Sequence, residues 1–163
     1  MAETGTKAAL PEAVRAEIEA LRPRYPTTRA LLLPALHAAQ RAAGGWLPEE
    51  ILAAVGDYLG LPYSDVMGVV SFYDMFHDKP VGRHRIRVCT NLSCALRGAQ
   101  EIVAALHDEL GVGEGEVTTD GRCSYVHFEC LGSCDSAPMM MVDDRYHENL
   151  TPEKARAIVR QLK

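Results

Sequence analysis

Apolar residues recur at helical spacing through the first half of this chain, and the second half changes to short strands alternating with helices. From Pro11 onward Val14, Ile18 and Leu21 fall on one stripe, and Pro23 closes the segment. Thr27 or Thr28 is placed to cap a second helix running to Ala43, with Leu32, Leu36, Ala39 and Ala43 as its inner face. Pro34 belongs near the first turn of that helix or at a bend, and Gly44-Gly45 stops it. Pro48-Glu49-Glu50 opens a third helix with acids where the dipole favours them, and Ile51, Leu52, Val55 and Leu59 point inward. Gly60 ends it, and Ser64 is expected to cap a fourth helix carrying Val66, Val69, Val70 and Tyr73. Residues 1–10 read as frayed.

Lys79-Pro80-Val81-Gly82 marks a boundary. Beyond it Arg85–Val88 reads as a strand that delivers Cys89 at its end. Ala99, Ile102, Val103, Leu106 and Leu110 make an amphipathic helix ended by Gly111. Ser124–Glu129 is a second strand leading into Cys130, Met139–Val142 a third, Asp143-Asp144 a turn and Arg145–His147 a short fourth. Thr151 caps a last helix with Ala155, Ile158, Val159 and Leu162 inward. The expected fold is therefore α+β: a helical bundle over residues 1–82, then an α/β domain over 83–163 with a four-stranded sheet. A β-α-β-β-β-α order with a cysteine pair after each of two strands brings both pairs to one edge of that sheet.

Those pairs carry the chemistry. Cys89 and Cys94 enclose Thr90–Ser93, and Cys130 and Cys134 enclose Leu131–Ser133. Four clustered thiols in a chain without a recognisable secretory signal suit a metal better than bridges, either tetrahedral zinc or an iron–sulfur cluster. Structural zinc usually has at least one tight Cys-x-x-Cys knuckle, and neither pair is that tight, so the spacing favours a cluster. A [2Fe–2S] rhomb is longer than a single ion, and each pair can grip one iron. Neither loop holds the histidine that a Rieske centre needs, and the Cys-x-x-Cys of thioredoxin redox chemistry is absent. Gly132 permits close backbone approach, where N–H groups would bond cluster sulfides. Asn91 and Ser93 also have a plain reading as helix caps ahead of Ala95. Pro138 stands beside the site, and its peptide bond is expected trans.

Composition narrows the partners. The 163 residues are 47% apolar with a net charge of -5, which speaks against a phosphate-tracking nucleic-acid surface. The charge is spread evenly over both halves, and no apolar run is long enough to span a bilayer. The expectation is a cytoplasmic location without direct membrane insertion, which leaves room for a membrane-bound partner.

The remaining candidates have plainer explanations. Cys123 precedes a strand and fits no pairing, so it reads as a small core filler. The six histidines show no metal-like grouping. Gly111-Val112-Gly113-Glu114-Gly115 follows a helix instead of a strand, so it reads as a helix stop and turn and not as a nucleotide loop. Phe72, Tyr73, Met75 and Phe76 read as bundle core, with a partner-facing patch as the other reading. Met139-Met140-Met141 reads as strand core with the middle residue on the opposite face. No nucleophile–base pair or paired-carboxylate motif suggests catalysis by this chain alone.

One resemblance joins these pieces. Val88-Cys89-Thr90-Asn91-Leu92-Ser93-Cys94 with Arg97-Gly98, then Glu129-Cys130-Leu131-Gly132-Ser133-Cys134 and Ala137-Pro138, resembles the thioredoxin-like [2Fe–2S] ferredoxin family. Gly45-Trp46-Leu47-Pro48, Val66-Met67-Gly68-Val69-Val70-Ser71-Phe72-Tyr73 and Glu116–Gly121 resemble its other signatures, so the likeness covers nearly the whole chain. The resemblance implies a thioredoxin-like α/β domain in which Cys89, Cys94, Cys130 and Cys134 bind one [2Fe–2S] cluster. It implies a one-electron carrier in the NADH-oxidising module of NADH–quinone oxidoreductase (complex I), on the cytoplasmic side of the inner membrane. The helical domain would then clamp a flavoprotein subunit that itself binds NADH and FMN. The alternative is the same small subunit in a soluble NAD-dependent hydrogenase or formate dehydrogenase. A homodimer of the isolated chain is also compatible.

Overall fold

The computed structural model describes residues 9–163, which form two compact units divided between Pro80 and Val81. In the first unit α1 (Glu12–Leu21) runs into a 3-10 turn at Arg22–Arg24, and a second 3-10 turn at Arg29–Leu31 leads into α2 (Leu32–Ala42). Helices α3 (Glu49–Leu59) and α4 (Tyr63–Phe72) complete it. Val14, Ile18, Leu36, Leu52, Val55 and Val66 form the shared core of these four helices. Leu10 is buried there too, so the frayed reading fails at that residue; residues 1–8 lie outside the described residues.

Two helix starts differ from expectation, each for a local reason. Thr27 and Thr28 precede the 3-10 turn and not α2, and the Thr27 Oγ1 accepts from the Ala30 N–H at 3.2 Å. Helix α2 begins only at Leu32, which places Pro34 in its first turn, where a missing N–H costs nothing. Helix α4 is capped by Pro62 and not by Ser64, because the Pro62 carbonyl accepts from the N–H groups of Asp65 and Val66 at 3.0 and 3.4 Å. Pro48 starts α3 in the same way, and Gly60 at φ +66° ends it.

The segment after α4 corrects the core reading of its aromatics. Phe72, Tyr73 and Met75 are 74%, 40% and 53% exposed, and only Phe76 is buried, with its ring 4.7 Å from that of His37. Buried Gln40 holds this segment from α2. Its Nε2 donates to the Met75 carbonyl and its Oε1 accepts from the His77 N–H, both at 2.9 Å. The outward aromatics therefore stand on a fixed backbone.

The second unit runs β1 (His84–Cys89), α5 (Leu92–Leu96), α6 (Ala99–Leu110), β2 (Cys123–Phe128), β3 (Met140–Val142), β4 (Arg145–His147) and α7 (Pro152–Gln161), with a 3-10 turn at Cys134–Ser136. The sheet order is β2-β1-β3-β4. Strands β1 and β2 are parallel, from His84↔Cys123 to Cys89↔Phe128, and the other pairings are antiparallel. This is the expected mixed α+β fold. Ile86, Val88, Met140 and Val142 share one core with Ile102 and Leu106 of α6 and Ala155 and Val159 of α7. Met139 and Met141 belong to a second cluster, so Met140 points the other way, as strand alternation requires. Gly111 at φ +66° ends α6, and Thr151 caps α7 by accepting from the Lys154 N–H at 3.3 Å. The Ala137–Pro138 bond is cis, contrary to the trans expectation.

Two features of this unit can be tested directly. An ideal Cβ built on Gly82 would lie 2.3 Å from the Cys123 carbonyl carbon and 2.5 Å from the Ser124 nitrogen, both backbone atoms that cannot swing aside. Gly82→Ala should therefore cost about 3 kcal/mol or more of stability, read by chemical denaturation. His84 is held by Asp143, with Nδ1 2.9 Å from Oδ2, and by the Lys163 carbonyl 3.0 Å from Nε2. The Asp143 hydrogen bond raises its pKa above the ordinary 6.5, with burial opposing and the Lys163 carbonyl assisting. A raised folded value means that the contribution is complete below 6.5 and is lost as pH rises through the folded value. Asp143→Asn should lower the His84 titration midpoint in an NMR pH series and flatten that part of the stability profile.

Candidate metal centre

The parallel pairing of β1 and β2 ends both strands at the same side of the sheet, with Cys89 opposite Phe128. The two cysteine loops start from there. In the first, the Thr90 N–H donates to the Phe128 carbonyl at 2.9 Å and the Cys89 N–H to the Met139 carbonyl at 3.2 Å, tying the loop to both neighbouring segments. Asn91 caps α5, its side-chain oxygen accepting from the Leu92 N–H at 2.8 Å, so the capping reading holds for Asn91. Helix α5 carries Cys94 inward while Leu92 and Leu96 face out at 70% and 79% exposure.

In the second loop Gly132 adopts φ +80°, a conformation that glycine alone takes without strain. A Cβ there would meet nothing within 4 Å, so the backbone angle and not crowding calls for glycine. The Leu131 carbonyl accepts from the Tyr146 hydroxyl at 2.8 Å. The hydroxyls of Ser133 and Ser136 both reach Glu148, Ser136 at 2.7 Å and Ser133 more closely. These two hydroxyl bonds, Ser133 first, hold the Glu148 carboxyl below its usual range. The Asn149 N–H donates to the Ser136 carbonyl at 2.7 Å. None of these supports was expected from the sequence, because each partner lies beyond the loop in β4 or the turn before α7.

Cys89 lies in hydrogen-bonding range of Cys94 and Cys130, and Cys134 is close enough to act on Cys94. Burial pushes the Cys89 thiol up, but the N–H groups of Asn91 and Leu131 and the thiols of Cys94 and Cys130 outweigh it, and the net shift is downward. Cys94 is pushed up to about 11, first by burial and then by Cys89, against a lowering bond from the Met139 backbone. Cys89 and Cys94 are buried and Cys130 and Cys134 exposed, and all five cysteines of the chain are unbridged. Ala99, Leu131, Ala137 and Met139 pack round the buried pair, with Phe128 and Met141 against them. Cys123 stands apart in the other core, fully buried, its thiol pushed up by desolvation.

Among the described residues no group of three or more His, Cys, Asp or Glu side chains is arranged to hold a metal ion. Cys89 links the two pairs, within hydrogen-bonding range of Cys94 and Cys130, and the N–H groups of Asn91 and Leu131 bond its sulfur. Two pairs of thiols, peptide donors and an apolar wall fit a [2Fe–2S] group.

Fold and site together define a class: a small α/β protein with paired thiols at the shared end of two parallel strands, joined in sequence to a helical unit. The chain belongs to the thioredoxin-like [2Fe–2S] ferredoxin family, whose profile matches residues 18–163. It is 43% identical over 142 residues to an NADH-quinone oxidoreductase subunit of Rickettsia bellii, covering 86% of this chain and 85% of the relative. The corresponding NADH-quinone oxidoreductase subunit of Escherichia coli is 40% identical over 154 residues, covering 94% and 92%. Among solved structures an NAD+-reducing [NiFe]-hydrogenase matches 80% of this chain with a TM-score of 0.68 and 25% identity. This chain spans only 22% of that hydrogenase chain.

Proposed function

We propose that this chain is the electron-transfer subunit that carries one [2Fe–2S] cluster in the NADH-oxidising module of NADH–quinone oxidoreductase. The observation that supports the reading is the parallel strand pair that starts both cysteine loops at one end of the sheet, with Cys89 in hydrogen-bonding range of Cys94 and Cys130. The relatives at 40–43% identity over most of the chain give it its host complex. The cluster supplies one-electron redox chemistry, and the four thiolates ligate it, one pair to each iron.

The chain's own residues define the setting. Cys94 is costly to ionise where it lies, so its thiolate needs a strong positive partner, which ferric iron provides. The N–H groups of Asn91, Leu131 and Met139 offset charge at sulfur, and the apolar wall keeps water from the buried pair. Cys130 and Cys134 lie on the solvent side, where an electron can enter or leave. The partner is a flavoprotein subunit that binds NADH and FMN. The exposed Phe72, Tyr73 and Met75 support docking through the helical unit, since aromatic and methionine side chains are enriched at interfaces. Assembly there places the chain peripherally on the cytoplasmic side of the membrane, consistent with no described helix being long and apolar enough to cross it. The hydrogenase likeness favours a second reading, the same module serving a soluble NAD-linked hydrogenase.

The purified protein is expected to be red-brown, with visible charge-transfer bands that bleach on reduction. Cys130→Ser should weaken or shift those bands, whereas Cys123→Ser should leave them unchanged. A colourless protein holding a single zinc ion, or loss of the bands in Cys123→Ser, would overturn the ligand assignment. Identifying the enzyme that co-purifies with the chain separates the complex I reading from the hydrogenase reading.

A further inference from the structure

The two cysteine pairs are supported by different means. Cys89 and Cys94 sit in packed apolar surroundings, and their loop is bonded to the ends of β2 and β3. The Cys130–Cys134 loop is solvent-facing at both cysteines, and apart from the buried Leu131 side chain it has little packing to fix it. Apart from the Leu131 N–H and the Cys130 thiol on Cys89, its polar fastenings come from one neighbouring segment, residues 146–149. The Tyr146 hydroxyl takes the Leu131 carbonyl, Glu148 takes the hydroxyls of Ser133 and Ser136, and the Asn149 N–H takes the Ser136 carbonyl. The Ser133 and Ser136 hydroxyl oxygens lie 2.7 Å apart, so the carboxylate closes a compact cluster of three side chains.

We propose that Glu148, assisted by Tyr146, is a positioning residue for the solvent-side cysteine pair: it fixes the Cys130–Cys134 loop and keeps a negative charge one residue and one hydrogen bond away from Cys134. The proposal rests on the cluster reading above. Two consequences are separable. As an acceptor of two hydroxyl bonds, Glu148 restrains the loop whatever its charge. As a carboxylate beside the redox group, it disfavours arrival of an electron and so lowers the reduction potential. Glutamine keeps an acceptor oxygen and the side-chain length but loses the charge; alanine loses both.

The measurement uses the purified full-length protein with its cluster. Glu148→Gln should preserve the visible and EPR line shapes and favour the reduced state by about threefold, an upward midpoint shift of about 30 mV at 59 mV per tenfold. Glu148→Ala should show a comparable shift, a broadened EPR signal and cluster loss to a chelator at least about threefold faster than wild type. Tyr146→Phe, an exposed change that leaves the charge alone, should speed cluster loss without moving the potential as far, and it tests the loop if Glu148→Ala folds poorly. Glu153→Gln, an acid on α7, is the control and should change neither. An unmoved potential in Glu148→Gln overturns the charge effect. Wild-type chelation rates in both Glu148→Ala and Tyr146→Phe overturn the positioning role. A wild-type protein that takes up no cluster refutes the ligand reading instead. In that event faster amide exchange at residues 131–136 in Glu148→Ala still supports the loop restraint, and unchanged exchange refutes it.

Discussion

The parallel pairing of β1 with β2 is the constraint on which the site depends. Each strand has six residues and each ends next to a cysteine loop, so only a parallel arrangement puts both loops at one end of the sheet. An antiparallel β2 would send Cys130 to the far end, roughly 20 Å away at about 3.3 Å per residue, beyond the reach of any two-iron group. Parallel neighbours need a long crossover, which α5 and α6 provide, and α6 buries Ile102 and Leu106 against the strands it connects. The crossover thus brings the thiols together and builds the core beneath them. Gly82 belongs to the same constraint, since β1 can begin beside Cys123 only where no side chain intervenes.

Under the proposed ligation, holding four thiolates together is an electrostatic problem for which the two cysteine pairs are differently equipped. The buried pair gains an apolar wall and directed peptide donors, and the high value of Cys94 measures the cost of a thiolate there without a cation. The exposed pair needs no compensation for lost solvation but has little packing to fix its geometry. Hydrogen bonds from residues 146–149 take the place of packing. Such bonds at a solvent-facing position are individually weak, so several converging on one short loop are needed to define it.

What could be read from the sequence follows from the range of each interaction. The helices and strands of both units were legible, because Val14 and Ile18, or Ile86 and Val88, carry their periodicity in adjacent turns and strand steps. The cysteine spacing favoured a cluster over knuckled zinc, and Asn91 could be read as a cap because its bond is to the next residue. Helix starts were less legible. Pro62 and Ser64 both carry start signals within three residues, and the Pro62 carbonyl took the role. Phe72, Tyr73 and Met75 were ambiguous because an aromatic run meets the needs of a core and of an interface equally well. Where α4 ends, and how Gln40 holds the chain after it, turned three of four side chains outward. The Tyr146 and Glu148 supports have no signal in local pattern, since they depend on the turn of β4 back past the second cysteine loop.

The helical unit is best understood through this division of labour. All four candidate ligands and their supporting bonds belong to the unit that begins at Val81, so ligation alone gives the first eighty residues no task. Yet the family profile starts at residue 18, inside α1, and runs to the end, and the relatives align across both units. The unit has its own complete core and spends a buried glutamine on fixing a segment whose aromatic side chains face solvent. Fixing exposed apolar groups does nothing for a free monomer, because their ordering is offset by no burial. It becomes favourable when a partner covers them, since a surface held in place beforehand loses less entropy on binding. Under the docking proposed above, the exposed Phe72, Tyr73 and Met75 would be the side chains that gain from being held in place before a partner arrives.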